Sequence, residues 1–232
     1  MLRDQARLHL GLMLVLTFST GVVDAIGYLG LDRVFTANMT GNVVILAMGL
    51  TGQDGLPIVG PIIALAGFVV GAAVAGRFLR GVPKGWHGRD TWVLSVVALL
   101  LLVALIPTAF ITSTPADPAL GYPVTALLAV AMGMQAGAAR HIAVTDVTTV
   151  VITSTLAALA FDSRFGRRIG QTWFRRLAAV ALLALGALAG AALLLVAFWL
   201  GLALAALLVV VVAVLGALGG RSAAKEAGTP AQ

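Results

Sequence analysis

Long apolar runs alternate with short polar connections along almost the whole chain. The runs occupy residues 8–31, 36–50, 57–79, 91–111, 120–139, 145–160, 177–197 and 199–218. Six of them reach the roughly 20 residues that an α-helix needs to cross a bilayer. The second and sixth are shorter, and each opens on small polar residues. The first break reads Phe35-Thr36-Ala37-Asn38-Met39-Thr40-Gly41-Asn42, ahead of an apolar run over 43–50. The other reads Val144-Thr145-Asp146-Val147-Thr148-Thr149, ahead of 150–160. The pattern predicts eight helical elements with two broken ones in corresponding places. Paired interruptions of this kind point to a binding site near the bilayer midplane.

Composition fixes the class. The chain is 60% hydrophobic and 10% charged, with a mean hydropathy of +1.05. An all-α polytopic membrane protein is expected, with no stretch polar enough to fold as a soluble domain. Arg3 and Arg7 precede the first apolar run, and no small-residue cleavage site follows, so that run reads as a retained first helix. The net charge of +6 sits in short clusters between apolar runs. That placement fits the positive-inside rule and a lipid partner, not nucleic acid. The absence of cysteine excludes disulfides, thiolate metal sites and a cysteine nucleophile. No H-E-x-x-H pattern and no phosphate loop occurs. No metal, cofactor or catalytic residue is expected, and the chain does not read as an enzyme.

Charge also chooses between two topologies. If all eight runs span with the N-terminus inside, Arg33, Arg77, Arg80, Lys84, Arg89 and Arg140 fall outside. If the two short runs instead enter and leave on one side, only Arg33 does. The positive-inside rule favours the second arrangement. It makes two four-element repeats, over 1–112 and 113–220, each with three spanning helices and one short re-entrant helix. Three spans are an odd number, so the second repeat is inverted relative to the first. The polar stretch 221–232 reads as a disordered cytoplasmic tail. Faint internal similarity agrees: Met39-Thr40-Gly41 aligns with Val147-Thr148-Thr149, Gly67 and Gly71 with Gly186 and Gly190, and Trp92 with Trp199. The Gly pairs have the spacing that lets helices approach closely, and they leave a homodimer open.

Candidate site residues follow from membrane physics. Irregular backbone at membrane depth must be buried in protein or line a wet cavity, and helix N-termini present free N–H groups. Asn38, Thr40 and Asn42 are candidates at the first break, and Thr145, Asp146 and Thr148 at the second, with Thr149 beside them. Asn38 and Asp146 are also favoured N-cap types, and capping is compatible with solute contact. Asp24 is the sharpest single residue, because a carboxylate inside a membrane helix costs a few kcal/mol and marks pathways or relays. Pairing to a backbone amide or to Arg140 is the packing alternative. Gln135 falls at a similar place in the fifth run and either bonds another helix or contacts solute. Arg140, with His141 beside it, follows that run as a topology anchor or a gating partner of Asp24.

The motifs Gly21-Val22-Val23-Asp24-Ala25-Ile26-Gly27-Tyr28, Asn38-Met39-Thr40-Gly41-Asn42 and Met132-Gly133-Met134-Gln135 resemble the YoaK family of bacterial inner-membrane proteins of unknown function. The resemblance covers nearly the whole chain. In that family a histidine commonly precedes the Met-Thr-Gly, where this chain has Asn38, and the second half often repeats Met-Thr-Gly, where it has Val147-Thr148-Thr149. The resemblance implies the bacterial inner membrane and names no substrate. The expectation is a secondary transporter or facilitator of a small polar or anionic solute, with both chain termini cytoplasmic. A passive channel, or a non-transporting assembly or chaperone subunit, is the alternative.

Overall fold

The computed structural model describes residues 2–52, 55–110, 116–144, 152–163 and 173–227. Among these residues eight helices follow in order: α1 Leu2–Gly30, α2 Met39–Gly49, α3 Val59–Phe78, α4 Gly88–Thr108, α5 Pro118–Ile142, α6 Ile152–Phe161, α7 Trp173–Leu194 and α8 Phe198–Ala227. Six are long and apolar enough to cross a membrane, and α2 and α6 are the short apolar pair. At 1.5 Å per residue, α2 with 11 residues and α6 with 10 reach about half of a hydrocarbon core. Helix α8 runs on to Ala227, through the start of the polar stretch expected to form a tail, and residues 228–232 lie outside the described residues.

Local chemistry sets the helix starts. Asn38 caps α2, its side chain accepting from the Gly41 amide at 3.2 Å. Asp117 caps α5 in the same way through Ala119 at 2.8 Å, with Pro118 in the first turn. His87 and Asp90 form a reciprocal box that starts α4 three residues before its apolar run. Outside the bundle the surface is apolar: Ile106, Leu188, Val69 and Leu207 each expose more than half of their area. Water does not tolerate so continuous an apolar surface, and lipid does. The chain is a multi-pass membrane protein.

Close glycine contacts give the helix directions. A methyl group on Gly186 would strike the Phe18 carbonyl, and one on Gly190 would meet Val22, so α7 and α1 ascend together. Gly67 lies on Ala129, Gly71 on Val130 and Gly137 on Ala75, so α3 and α5 also run parallel to each other. Gly30 abuts Phe198 while Gly219 abuts Leu8, which sets α8 against α1. Trp86, just ahead of α4, stacks on His9 at 5.7 Å and packs on Gly216 of α8, so α4 runs with α1. The Ala116 amide donates to Gly30 O at 2.9 Å, so α5 starts where α1 ends. Helix α3 therefore begins at the end of the bundle where α1 finishes, and α7 begins where α5 finishes. Both α2 and α6 leave and return on one side, at opposite ends of the bundle.

The same crossing occurs twice. Gly21 meets the Leu183 carbonyl and Gly186 the Phe18 carbonyl, while Gly133 meets the Phe68 carbonyl and Gly71 the Val130 carbonyl. In each pair a glycine sits three residues beyond the carbonyl that its partner glycine touches. This register matches Gly71 with Gly186 and Gly21 with Gly133. It differs by one helical turn from the alignment of Gly67 with Gly186 that the sequence suggests. It also places Ala136 opposite Asp24, so Gln135 is not the counterpart of Asp24. Runs of Gly and Ala have too little character to fix the register by themselves, whereas backbone contact does.

Candidate functional site

Asp24 organises the first break. Beyond α1, Asp32 and Arg33 adopt left-handed backbone (φ 64 and 58) and reverse the chain. The returning strand passes so close to Gly27 that a methyl group there would meet the Val34 carbonyl at 2.6 Å. Asp24 Oδ1 then accepts from the amides of Thr36 at 2.9 Å and Ala37 at 2.7 Å, and the Thr36 hydroxyl lies at 3.4 Å. These amides precede α2 and have no helical partner, and at this depth water cannot reliably supply one. Asp24 lies six residues before Gly30, so α2 begins about 9 Å inside the end of α1.

Three residues of Asn38-Met39-Thr40-Gly41-Asn42 have an identifiable structural task. Asn42 is fully buried and grips the backbone of Phe35 twice, with Phe35 N donating to Oδ1 at 2.9 Å and Nδ2 donating to Phe35 O at 2.6 Å. Gly41 leaves room for the Phe35 ring, which a methyl group would meet at 2.8 Å. That ring stacks on Tyr28 at 4.8 Å. Asn38 caps the helix, and Thr40 is exposed to the space in front of it.

That space is a cavity of about 980 Å³. Thr20, Asp24 and Tyr28, one turn apart on α1, form one wall. The first turn of α2, from Asn38 to Gly41, forms a second, and Ile152 and Thr153 at the described start of α6 close a third side. The two short helices thus bring their starts to one cavity, from opposite ends of the bundle. Arg176 Nη1 anchors the other end of α6, donating to Ala158 O and to Asp162 Oδ2, both at 2.9 Å.

Of the residues expected to form a site, Asp24, Asn38 and Thr40 line this cavity together. Asn42 and Gln135 stand outside its described lining. Asn42 is committed to Phe35, and the Gln135 amide bonds α1 through Thr20 Oγ1 at 3.0 Å and Leu16 O at 3.4 Å. Arg140 is exposed at the end of α5 and is likewise not among the described lining residues; Asp24 bonds backbone amides. Thr145, Asp146, Thr148 and Thr149 lie outside the described residues. His141 turns away from the cavity, its Nδ1 lying 2.7 Å from the fully buried Asp90 and its Nε2 3.1 Å from Val82 O. Sequence reading passed over Thr20, Tyr28 and Thr153. The spacing of Thr20 and Tyr28, four residues either side of Asp24, is the signal that marks two of them.

The profile of the family described as "Protein of unknown function (DUF1275)" matches residues 12–215. The chain is also similar to the "UPF0700 transmembrane protein YoaK" of Bacillus subtilis (strain 168), at 31% identity over 152 residues. That alignment covers 65% of this chain and 65% of the relative, so the chain spans just under two thirds of the relative's length. No solved structure matches the chain.

Proposed function

The chain belongs to the DUF1275 family, and on that premise we propose that it is a secondary transporter or facilitator for a small polar or anionic solute. The observation that carries this reading is the 980 Å³ cavity between the starts of two short helices, with Asp24 on its wall. Helix starts offer N–H groups and positive potential to an acceptor or anionic group. Asn38 and Thr40 supply hydrogen-bonding side chains at α2, and Thr153 one at α6. Asp24 is the gating carboxylate, because it holds the strand that sets the position of α2. Thr145, Asp146 and Thr148 are the sequence candidates ahead of α6, outside the described residues, and Arg140 marks the membrane edge.

An inverted two-repeat architecture, over 1–112 and 113–220, accompanies this reading. It is supported by the twofold recurrence of the glycine crossing and by opposite directions of α1 and α5, α3 and α7, and α4 and α8. Alternating access would then rock one half against the other around the shared cavity. The distribution of the basic clusters supports both termini on the cytoplasmic side of a bacterial inner membrane.

The chain has no cysteine, which permits a direct test. A single cysteine at Thr40 should react with a water-soluble thiol reagent in membrane vesicles, and one at the buried Leu101 should not. Protection of position 40 from both sides would mean a closed, non-transporting cavity. In proteoliposomes, Asp24→Asn and Asn38→Ala should each reduce solute flux. Flux without saturation would identify a channel, and a stable co-purifying protein without flux an assembly subunit.

A further inference from the structure

The chain has three histidines, and all of them gather near one fully buried carboxylate, Asp90. Backbone turns build the cluster. Gly81 and Gly85 take positive φ (77 and 118), which glycine adopts freely, and carry the α3–α4 connection over the end of α5. The Gly85 amide donates to His141 O at 3.4 Å. The same path sets the Val82 carbonyl 3.1 Å from His141 Nε2 and Asp90 Oδ1 2.7 Å from Nδ1. The His87 amide donates to the other carboxyl oxygen, Oδ2, at 2.9 Å.

Each ring nitrogen of His141 thus faces an acceptor. A backbone carbonyl only accepts, so Nε2 must carry a proton to bond Val82. A neutral ring protonated there has a bare lone pair at Nδ1, facing Asp90 Oδ1. That short contact holds only with a second proton in it, on the ring or on the carboxyl. The other neutral tautomer sets a bare Nε2 against the Val82 carbonyl, and a half-turn of the ring puts carbon on both acceptors. The pair therefore retains one proton more than a neutral imidazole beside a carboxylate, and it titrates as a unit. The His141 side chain is 14% exposed, so water can deliver or remove that proton. Other charges stand apart. Arg7, Arg77, Arg80, Lys84, Arg89 and Arg140 are exposed, and α8 carries none over 198–220. Of the other histidines, His87 lies 3.9 Å from Asp90 Oδ2 with its Nδ1 3.2 Å from Gly85 O, and His9 stacks on Trp86.

We propose that His141 and Asp90 form a proton-binding site that works as a latch: one proton in the pair fixes the α3–α4 connection on the end of α5, and loss of that proton frees it. Without the proton, the ring must give up Val82 or turn a lone pair on a buried carboxylate, and either breaks the clasp. The site is separate from the cavity and does not rest on a solute occupying it. Helix α5 ends in a left-handed turn at Ala143 (φ 52), two residues past His141, and the chain then leads toward α6. The latch therefore sits at the base of the segment that carries the second break. On the orientation proposed above, it responds to cytoplasmic pH.

The test is thermal unfolding of the purified full-length protein in detergent between pH 5 and pH 9. An imidazole in the unfolded chain gives up its proton above about pH 6.5, while the folded pair keeps one. The native state then binds more protons than the unfolded state, so stability falls as pH rises. Wild type should lose on the order of 4–8 °C more in Tm across that range than His141→Gln, which cannot titrate. His87→Gln, which keeps the backbone bond to Asp90, should retain the wild-type response. Hydrogen exchange gives the second readout. Amides of residues 79–87 should be protected at low pH in wild type and lose that protection at high pH, after correction for intrinsic exchange rates. Parallel Tm curves for wild type and His141→Gln would overturn the site, as would a response lost in His87→Gln but kept in His141→Gln. Equal protection of 79–87 at both pH values would overturn the latch. That measurement uses wild type alone, so it decides the matter even where His141→Gln does not fold.

Discussion

The described side-chain contacts that hold the two short helices fall at opposite ends. Helix α2 is held at its start, where Asp24 takes the amides of Thr36 and Ala37 and Asn42 takes both backbone groups of Phe35. Helix α6 is held at its finish, where Arg176 bonds Ala158 O and Asp162. The register of the glycine crossings puts Ala136 where the first half has Asp24, and a methyl group cannot hold a returning strand. The same crossing thus supports a side-chain clamp on α2 and none from the equivalent position of α5.

The largest effect is expected from Asp24→Ala. Two amides at membrane depth lose their acceptor, at a cost of about 3 kcal/mol. Thermal unfolding should show the loss, and proteolysis should cut first within 31–50. Asp24→Asn keeps an acceptor oxygen and should cost less than half as much. If the Ala and Asn variants unfold alike, the clamp is not what fixes α2. Asn42→Leu comes next, at about 2 kcal/mol, since both Phe35 backbone groups are left unpaired. Its signature is an altered Tyr28–Phe35 stack, read by near-ultraviolet circular dichroism, and an unchanged signal would remove Asn42 from the clamp.

Arg176→Gln should cost about 1.5 kcal/mol, the value of a partly buried charge-assisted bond. Its effect should be confined to the second half: a reporter cysteine at Ser163 becomes more reactive while one at Thr51 does not change. Equal changes at both positions would mean that the two short helices are not held independently. Asn38→Ala is the mildest, at about 1 kcal/mol for one cap, and should leave the Asp24 contacts in place. A loss as large as that of Asp24→Ala would make the cap, not the carboxylate, the principal restraint.

Asp24 illustrates how far a sequence can be read. Its cost in a membrane helix singles it out as a candidate whatever it touches, so that much is legible from one residue and its neighbours. Its partners are not, because backbone amides carry no side-chain signature. Asn42 shows the complementary case: its polarity suggests a solute contact, and only the fold reveals that its amide is spent on Phe35.

The sequence by itself determined the membrane class, the six long helices, the two short ones and the position of the first break. Those properties follow from hydrophobic length and local capping, which act over a few residues. Tertiary structure alone decided that the starts of α2 and α6 share a cavity, that Ala136 rather than Gln135 occupies the position equivalent to Asp24, and that no described residue donates to the Gln135 carbonyl. These depend on how helices cross, and the crossings are set by contact between glycine and a distant backbone carbonyl, where all helical residues present the same atoms.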